Sequence, residues 1–104
     1  MKTMTTSELM RSTRPTVTTR NADVPRDAVR VLWSADGYFA QVGGVNAARR
    51  ERLSGHVSAS DMLGVIRALR AAGRRVVATA MIRTELARET SVADVVALDI
   101  ECVV

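Results

Sequence analysis

One lysine stands against fourteen arginines, and the chain has a single cysteine, a single histidine, two prolines and one each of tryptophan, tyrosine and phenylalanine. Each scarcity excludes something. Cys102 is alone, so no internal disulfide can form, and a reducing cytoplasm suits the chain at least as well as secretion. His56 sits between Gly55 and Val57, with no second histidine or paired carboxylate at ligand spacing, which leaves no metal site and no catalytic dyad. Three aromatic residues are too few for a stacking platform on single-stranded nucleic acid, and they leave the core to Val, Ala, Leu, Ile and Met. No apolar run reaches the roughly 18 residues of a membrane span. The shortage of lysine, beside abundant Ala and Val, reads first as the codon usage of a GC-rich genome.

What remains is globular in composition, 47% hydrophobic and 25% charged over 104 residues, enough for one small domain. Its charge is segregated. Residues 1–23 carry +2, 24–44 carry 0, 45–75 carry +5 and 76–104 carry −3, which sums to the net +4. Met1–Asp23 holds seven threonines, two serines and four basic residues without the apolar stretch of a secretory signal. It reads as a flexible arm, with an organelle transit peptide as the competing reading, and 24–104 as the folded domain. A soluble, cytoplasmic protein without cofactor is the expectation.

Ala28–Val42 contains a hairpin signal, Asp36-Gly37, flanked by alternating apolar residues. Pairing Ala35 with Tyr38 puts Val29, Val31, Trp33, Tyr38, Ala40 and Val42 on one face, the core face, and Arg30, Leu32, Ser34, Phe39 and Gln41 on the other. After Gly43-Gly44, Asn46 can cap a short helix through Leu53 that displays Arg49, Arg50 and Arg52. Gly43-Gly44 lacks the spacing and the lysine of a phosphate loop and reads as a hairpin exit. The main helix starts at Ser58 or Ser60 and ends before Gly73, with Met62, Val65, Ile66 and Leu69 as its buried stripe and Arg67, Arg70 and Arg74 along another face.

From Arg75 the apolar period drops from 3.6 to 2. Val76, Ala78, Ala80, Ile82 and Leu86, then Val96, Leu98, Ile100, Cys102 and Val104, read as alternate positions of two long antiparallel strands, with Arg83 opposite Asp99 and Cys102 a buried thiol. A helix over 83–97 is the competing reading, since Ile82, Leu86, Ala93 and Ala97 also make a stripe. The expected fold is α+β, a four-stranded antiparallel sheet in ββαββ order with one principal helix. One helix covers one face, so Leu32, Phe39, Val77, Met81, Val95 and Val103 are expected to point away from it and to form an oligomer interface, most simply with a second copy.

Catalytic groups are absent from this pattern. The serines lack histidine and acid partners, and Asp36 is a turn residue. Two binding functions are left. One is a small regulatory or adaptor protein acting through protein–protein contacts, as a homo-oligomer. The other is nucleic-acid binding, or binding of an acidic partner, through Arg49, Arg50, Arg52, Arg67, Arg70, Arg74 and Arg75, with Arg11, Arg14 and Arg20 of the arm wrapping a backbone.

The run Val29-Arg-Val-Leu-Trp-Ser-Ala-Asp-Gly-Tyr-Phe-Ala40 followed by a long helix resembles the central hairpin and helix of Roadblock/LC7 proteins, small dimeric adaptors of GTPases and motors. The resemblance covers residues 29–73 and implies an adaptor role. The chain departs from it in having no amphipathic helix before the first strand, two later strands where that family has three, and no closing helix. A regulator or inhibitor encoded by a mobile element fits the same residues.

Overall fold

In the computed structural model, which describes residues 18–43 and 50–103, the elements run β1 (Thr18–Thr19), a 3-10 turn (Asn21–Asp23), β2 (Val29–Ser34), β3 (Gly37–Val42), β4 (Glu51–Arg52), α1 (Ala59–Ala71), β5 (Val76–Thr79), α2 (Ala80–Glu89), α3 (Val92–Ala97) and β6 (Glu101–Val103). The strands form one mixed sheet in the order β1-β6-β5-β2-β3-β4. β1, β6, β5 and β2 are parallel neighbours, whereas β3 is antiparallel to both β2 and β4.

The hairpin forms two residues out of its expected register. Ser34 pairs with Gly37, Trp33 with Tyr38 and Val31 with Ala40, so the loop is Ala35-Asp36 rather than Asp36-Gly37. A shift of two keeps every side chain on its face, because the strand period is two. Val29, Val31, Tyr38 and Ala40 are accordingly in the core. Gly37 is needed for another reason: its φ is +129°, and a Cβ there would lie 2.7 Å from the Val57 carbonyl oxygen. That close approach lets Tyr38 and Val57 exchange backbone hydrogen bonds of 2.9 and 2.8 Å, which ties the segment before α1 to β3.

α1 has the borders its residues call for. The Ser58 hydroxyl accepts from the Asp61 N–H at 3.2 Å. At the other end Gly73, with φ +81°, and Arg74 return N–H groups to the Arg70 and Leu69 carbonyls at 3.0 Å each, a Schellman closure. Met62, Leu63 and Ile66 are its buried stripe.

Beyond β5 the antiparallel expectation fails. Residues 80–89 and 92–97 form two helices where the competing reading had one over 83–97, and only Glu101–Val103 of the expected last strand is extended. Thr79 caps α2 by accepting from the Ile82 N–H at 3.3 Å, and Ser91 caps α3 by accepting from the Asp94 N–H at 3.4 Å. Ile82, Arg83, Leu86 and Ala87 make the buried stripe of α2. The physical reason for the parallel pairing follows: with two helices between them, β5 and β6 are joined by a crossover instead of a turn. The fold is a small α+β domain whose sheet is mixed, not four antiparallel strands.

All three helices contribute to a single core cluster, with Val76, Ala78 and Ile100 joining the hairpin residues. Registers put Arg30, Val77 and Glu101 side by side on the opposite face, and Thr19, Thr79 and Val103 likewise. The expected interface residues are therefore redistributed. Leu32 and Phe39 are half-buried on that face, Val77 and Val103 lie on it but are buried by the chain itself, Val95 belongs to α3 and the core, and Met81 is on α2. Arg83 does not face Asp99 across a ladder; it is a buried helical residue.

Two expectations near the termini and loops are also revised. Thr18–Thr19, inside the expected arm, pairs with Cys102–Val103, and the Thr19 hydroxyl donates to Glu101 at 3.2 Å. Arm residues 1–17 lie outside the described residues, and Asn21–Asp23 form the 3-10 turn. Of the expected helix from Asn46 to Leu53, Glu51–Arg52 is a strand paired with Gln41–Val42, and Arg49 lies outside the described residues.

Candidate functional site

Among the described residues, the arginines that the charge pattern grouped together are spread over both sides of the sheet. Arg52 lies over the Phe39 ring at 4.6 Å, and His56 meets the same ring edge-on at 5.0 Å, so this cluster belongs to the face opposite the helices. His56 thus has a packing role. Arg50 is exposed beside it in sequence, just before β4. Arg67 and Arg70 are exposed on α1, in the helical layer.

Several of these cations have partners within the chain. Arg75 donates from Nε and Nη2 to the two carboxylate oxygens of Glu101, both at 2.5 Å. This pairing holds the Glu101 carboxyl below the ordinary glutamate range, chiefly through the Arg75 hydrogen bonds, with Thr19 assisting. Arg74 donates to the Asp27 carbonyl at 2.9 Å, and Arg70 approaches Asp99 at 3.6 Å. Arg67 and Arg70 line an open cleft of about 420 Å³ between α1 and α3, but Asp94 and Asp99 line its other side. Mixed signs at one mouth make a poor phosphate track, because the carboxylates repel what the guanidinium groups attract.

A different surface is formed at the end of the hairpin. Trp33 and Met81 are 59% and 67% exposed, the large apolar side chains left in solvent among the described residues. Trp33 lies near the end of β2, and Met81 lies in the first turn of α2, the helix that follows the neighbouring strand β5. Trp33 pairs across the hairpin with Tyr38, whose hydroxyl donates to Glu89 in the last turn of α2. Burial and the Glu89 carboxylate push the Tyr38 hydroxyl well above its ordinary pKa, so it stays a donor. Glu85 follows Met81 by one helical turn and is bridged to Arg88 at 2.5 Å. Of the two exposed apolar side chains, Met81 shares its helix with the carboxylates of Glu85 and Glu89.

Residue pattern alone concealed this surface, because alternation assigned Trp33 to the core. Its cross-strand partner Tyr38 on the same face is buried, whereas Trp33 itself is exposed. Compared with known protein families, with curated proteins and with solved structures, the chain shows no significant match in any of the three. None of these comparisons supports the resemblance to Roadblock/LC7 proteins, and after Gly73 the chain continues into a parallel β-α-α-β unit. Among the described residues no helix is long and apolar enough to cross a membrane.

Proposed function

We propose that this chain is a non-enzymatic interaction module, a small regulatory or adaptor protein, that binds a protein partner through Trp33 and Met81. The exposure of these two large apolar side chains carries the reading. Tryptophan and methionine are enriched at the centres of protein interfaces, and exposing them to water without a partner is unfavourable. Glu85 and Glu89 on α2 favour a partner segment whose apolar anchor is flanked by Lys or Arg. The earlier ground for a homo-oligomer was an uncovered sheet face. With Val77 and Val103 buried, that ground is lost, and the proposal commits to a partner of different sequence.

Nucleic-acid binding is the weaker reading, since Arg74 and Arg75 are engaged within the chain and the Arg67–Arg70 cleft also presents Asp94 and Asp99. Trp33 is the only tryptophan, so its fluorescence reports on the proposed surface directly. A synthetic amphipathic leucine–lysine peptide should shift and quench that emission saturably, a leucine–glutamate peptide should not, and Met81→Ser should weaken binding by about tenfold or more. A duplex oligonucleotide that binds in low salt and loses affinity on Arg67→Glu would instead establish the other reading. Light scattering that shows self-association abolished by Trp33→Ser would make the partner a second copy.

A further inference from the structure

The cleft between α1 and α3 gathers charges of both signs around a space of about 420 Å³. Arg67 and Arg70, three residues apart, share a face of α1, while α3 carries Asp94 in its first turn and Asp99 follows its end. Two of these four groups are already matched, because Arg70 and Asp99 approach each other at 3.6 Å. The other two are not. Among the described residues neither the Arg67 guanidinium nor the Asp94 carboxylate makes an ion pair or a hydrogen bond, although both residues line the same cleft. One cation and one anion are thus left open to a common space.

The signs select the ligand. A simple anion drawn to Arg67 is repelled by Asp94 and Asp99, and a simple cation drawn to Asp94 is repelled by Arg67 and Arg70. A small molecule with one charge of each sign satisfies both open groups at once, through a charge-assisted hydrogen bond to each. The same arrangement discriminates against a molecule that carries either charge alone. Ala71, Ala97 and Leu98 complete the lining and supply apolar contact, and the volume lies within the range of small-molecule sites. We infer that this cleft is a receptor for a free α-amino acid with an aliphatic side chain, its carboxylate held by Arg67 and its ammonium by Asp94. Neither Trp33 nor Met81 lines the cleft, so the two surfaces stand or fall separately.

The test is titration of the full chain with leucine, followed through the amide resonances of Ala71, Ala97 and Leu98. Leucine should shift them saturably, with a Kd on the order of 1 mM, the range open to so small a ligand. N-acetyl-leucine, which lacks the ammonium, and leucine amide, which lacks the carboxylate, should each bind about tenfold or more weakly at matched ionic strength. Arg67→Gln and Asp94→Asn should each weaken leucine binding by a similar factor. Both residues are exposed, so the variants should keep the circular dichroism of wild type. No saturable shift up to the solubility limit of leucine, equal binding of either analogue, or undiminished binding by either variant would overturn the assignment.

Discussion

Arg75 and Glu101 share two hydrogen bonds of 2.5 Å across β5 and β6, on the sheet face opposite the helices. Glu101 lies opposite Val77 in the ladder, so Arg75, two residues earlier on the same face, reaches it diagonally. The pair closes the parallel ladder at the end where α1 delivers the chain into the sheet. It also removes from solution one of the cations that the charge pattern offered to phosphates.

A pH dependence follows from that pair. The folded pKa of Glu101 is depressed below its ordinary 4.5, so its contribution is complete above that value and is lost as pH falls through the folded pKa. Glu101→Gln should therefore be less stable than wild type at pH 7. The gap should close on acidification, as pH falls below 4.5 and through the depressed folded pKa. Melting curves of both proteins over this range check it, and a gap that does not vary with pH would mean that the ionised pair contributes nothing.

The glycines separate by what surrounds them. Gly37→Ala should destabilise by at least about 1 kcal/mol, because the new Cβ meets the Val57 carbonyl at 2.7 Å in a backbone conformation that suits only glycine. Gly64, exposed in α1 with nothing within 4 Å of an added Cβ, is the opposite case. Gly64→Ala should stabilise by roughly 0.5–1 kcal/mol through helix propensity. Urea unfolding of the two variants should move the midpoint in opposite directions.

The readable parts of this sequence were those in which a local signal had one meaning. Ser58 and Gly73 bracket α1 because a cap and a left-handed closure leave few other readings. The hairpin faces were legible despite the wrong turn, since an error of two residues is invisible to a period of two. Residues 80–97 were not. Ile82 and Leu86 are four apart, which satisfies alternation and a helical stripe alike, and alternation says nothing of strand direction. One signal did mark the change: Ser91 with Asp94 three residues on is a capping pattern, and it starts α3. Nothing in the pattern marked Arg83 as buried, because hydropathy places every arginine outside.

Two substitutions discriminate the helical reading of this region from strands with an apolar outer face. Val95 is fully buried in α3, whereas Met81 is mostly exposed on α2. Val95→Asp should cost several kcal/mol, enough to unfold a domain this small, by burying an unpaired carboxylate. Met81→Glu should leave the melting temperature within a few degrees while removing peptide binding at the Trp33 surface. Equal loss of stability in both would contradict the burial on which the proposed surface rests.

Strand β1, within the Thr-rich start, gives the last prediction. β1 lies beside β6 at the edge of the sheet, Thr19 is buried, and its hydroxyl helps to hold the Glu101 carboxylate that Arg75 grips. Deleting residues 1–23 removes this strand and uncovers the polar backbone of Glu101–Val103, whereas deleting residues 1–17 leaves it in place. The longer deletion should therefore melt several degrees below the shorter one and show faster amide exchange at Cys102 and Val103, with a greater tendency to aggregate through the bare edge. Identical melting and exchange in the two truncated chains would mean that β1 adds nothing to the sheet, and that the domain begins where the residue pattern first placed it, after Asp23.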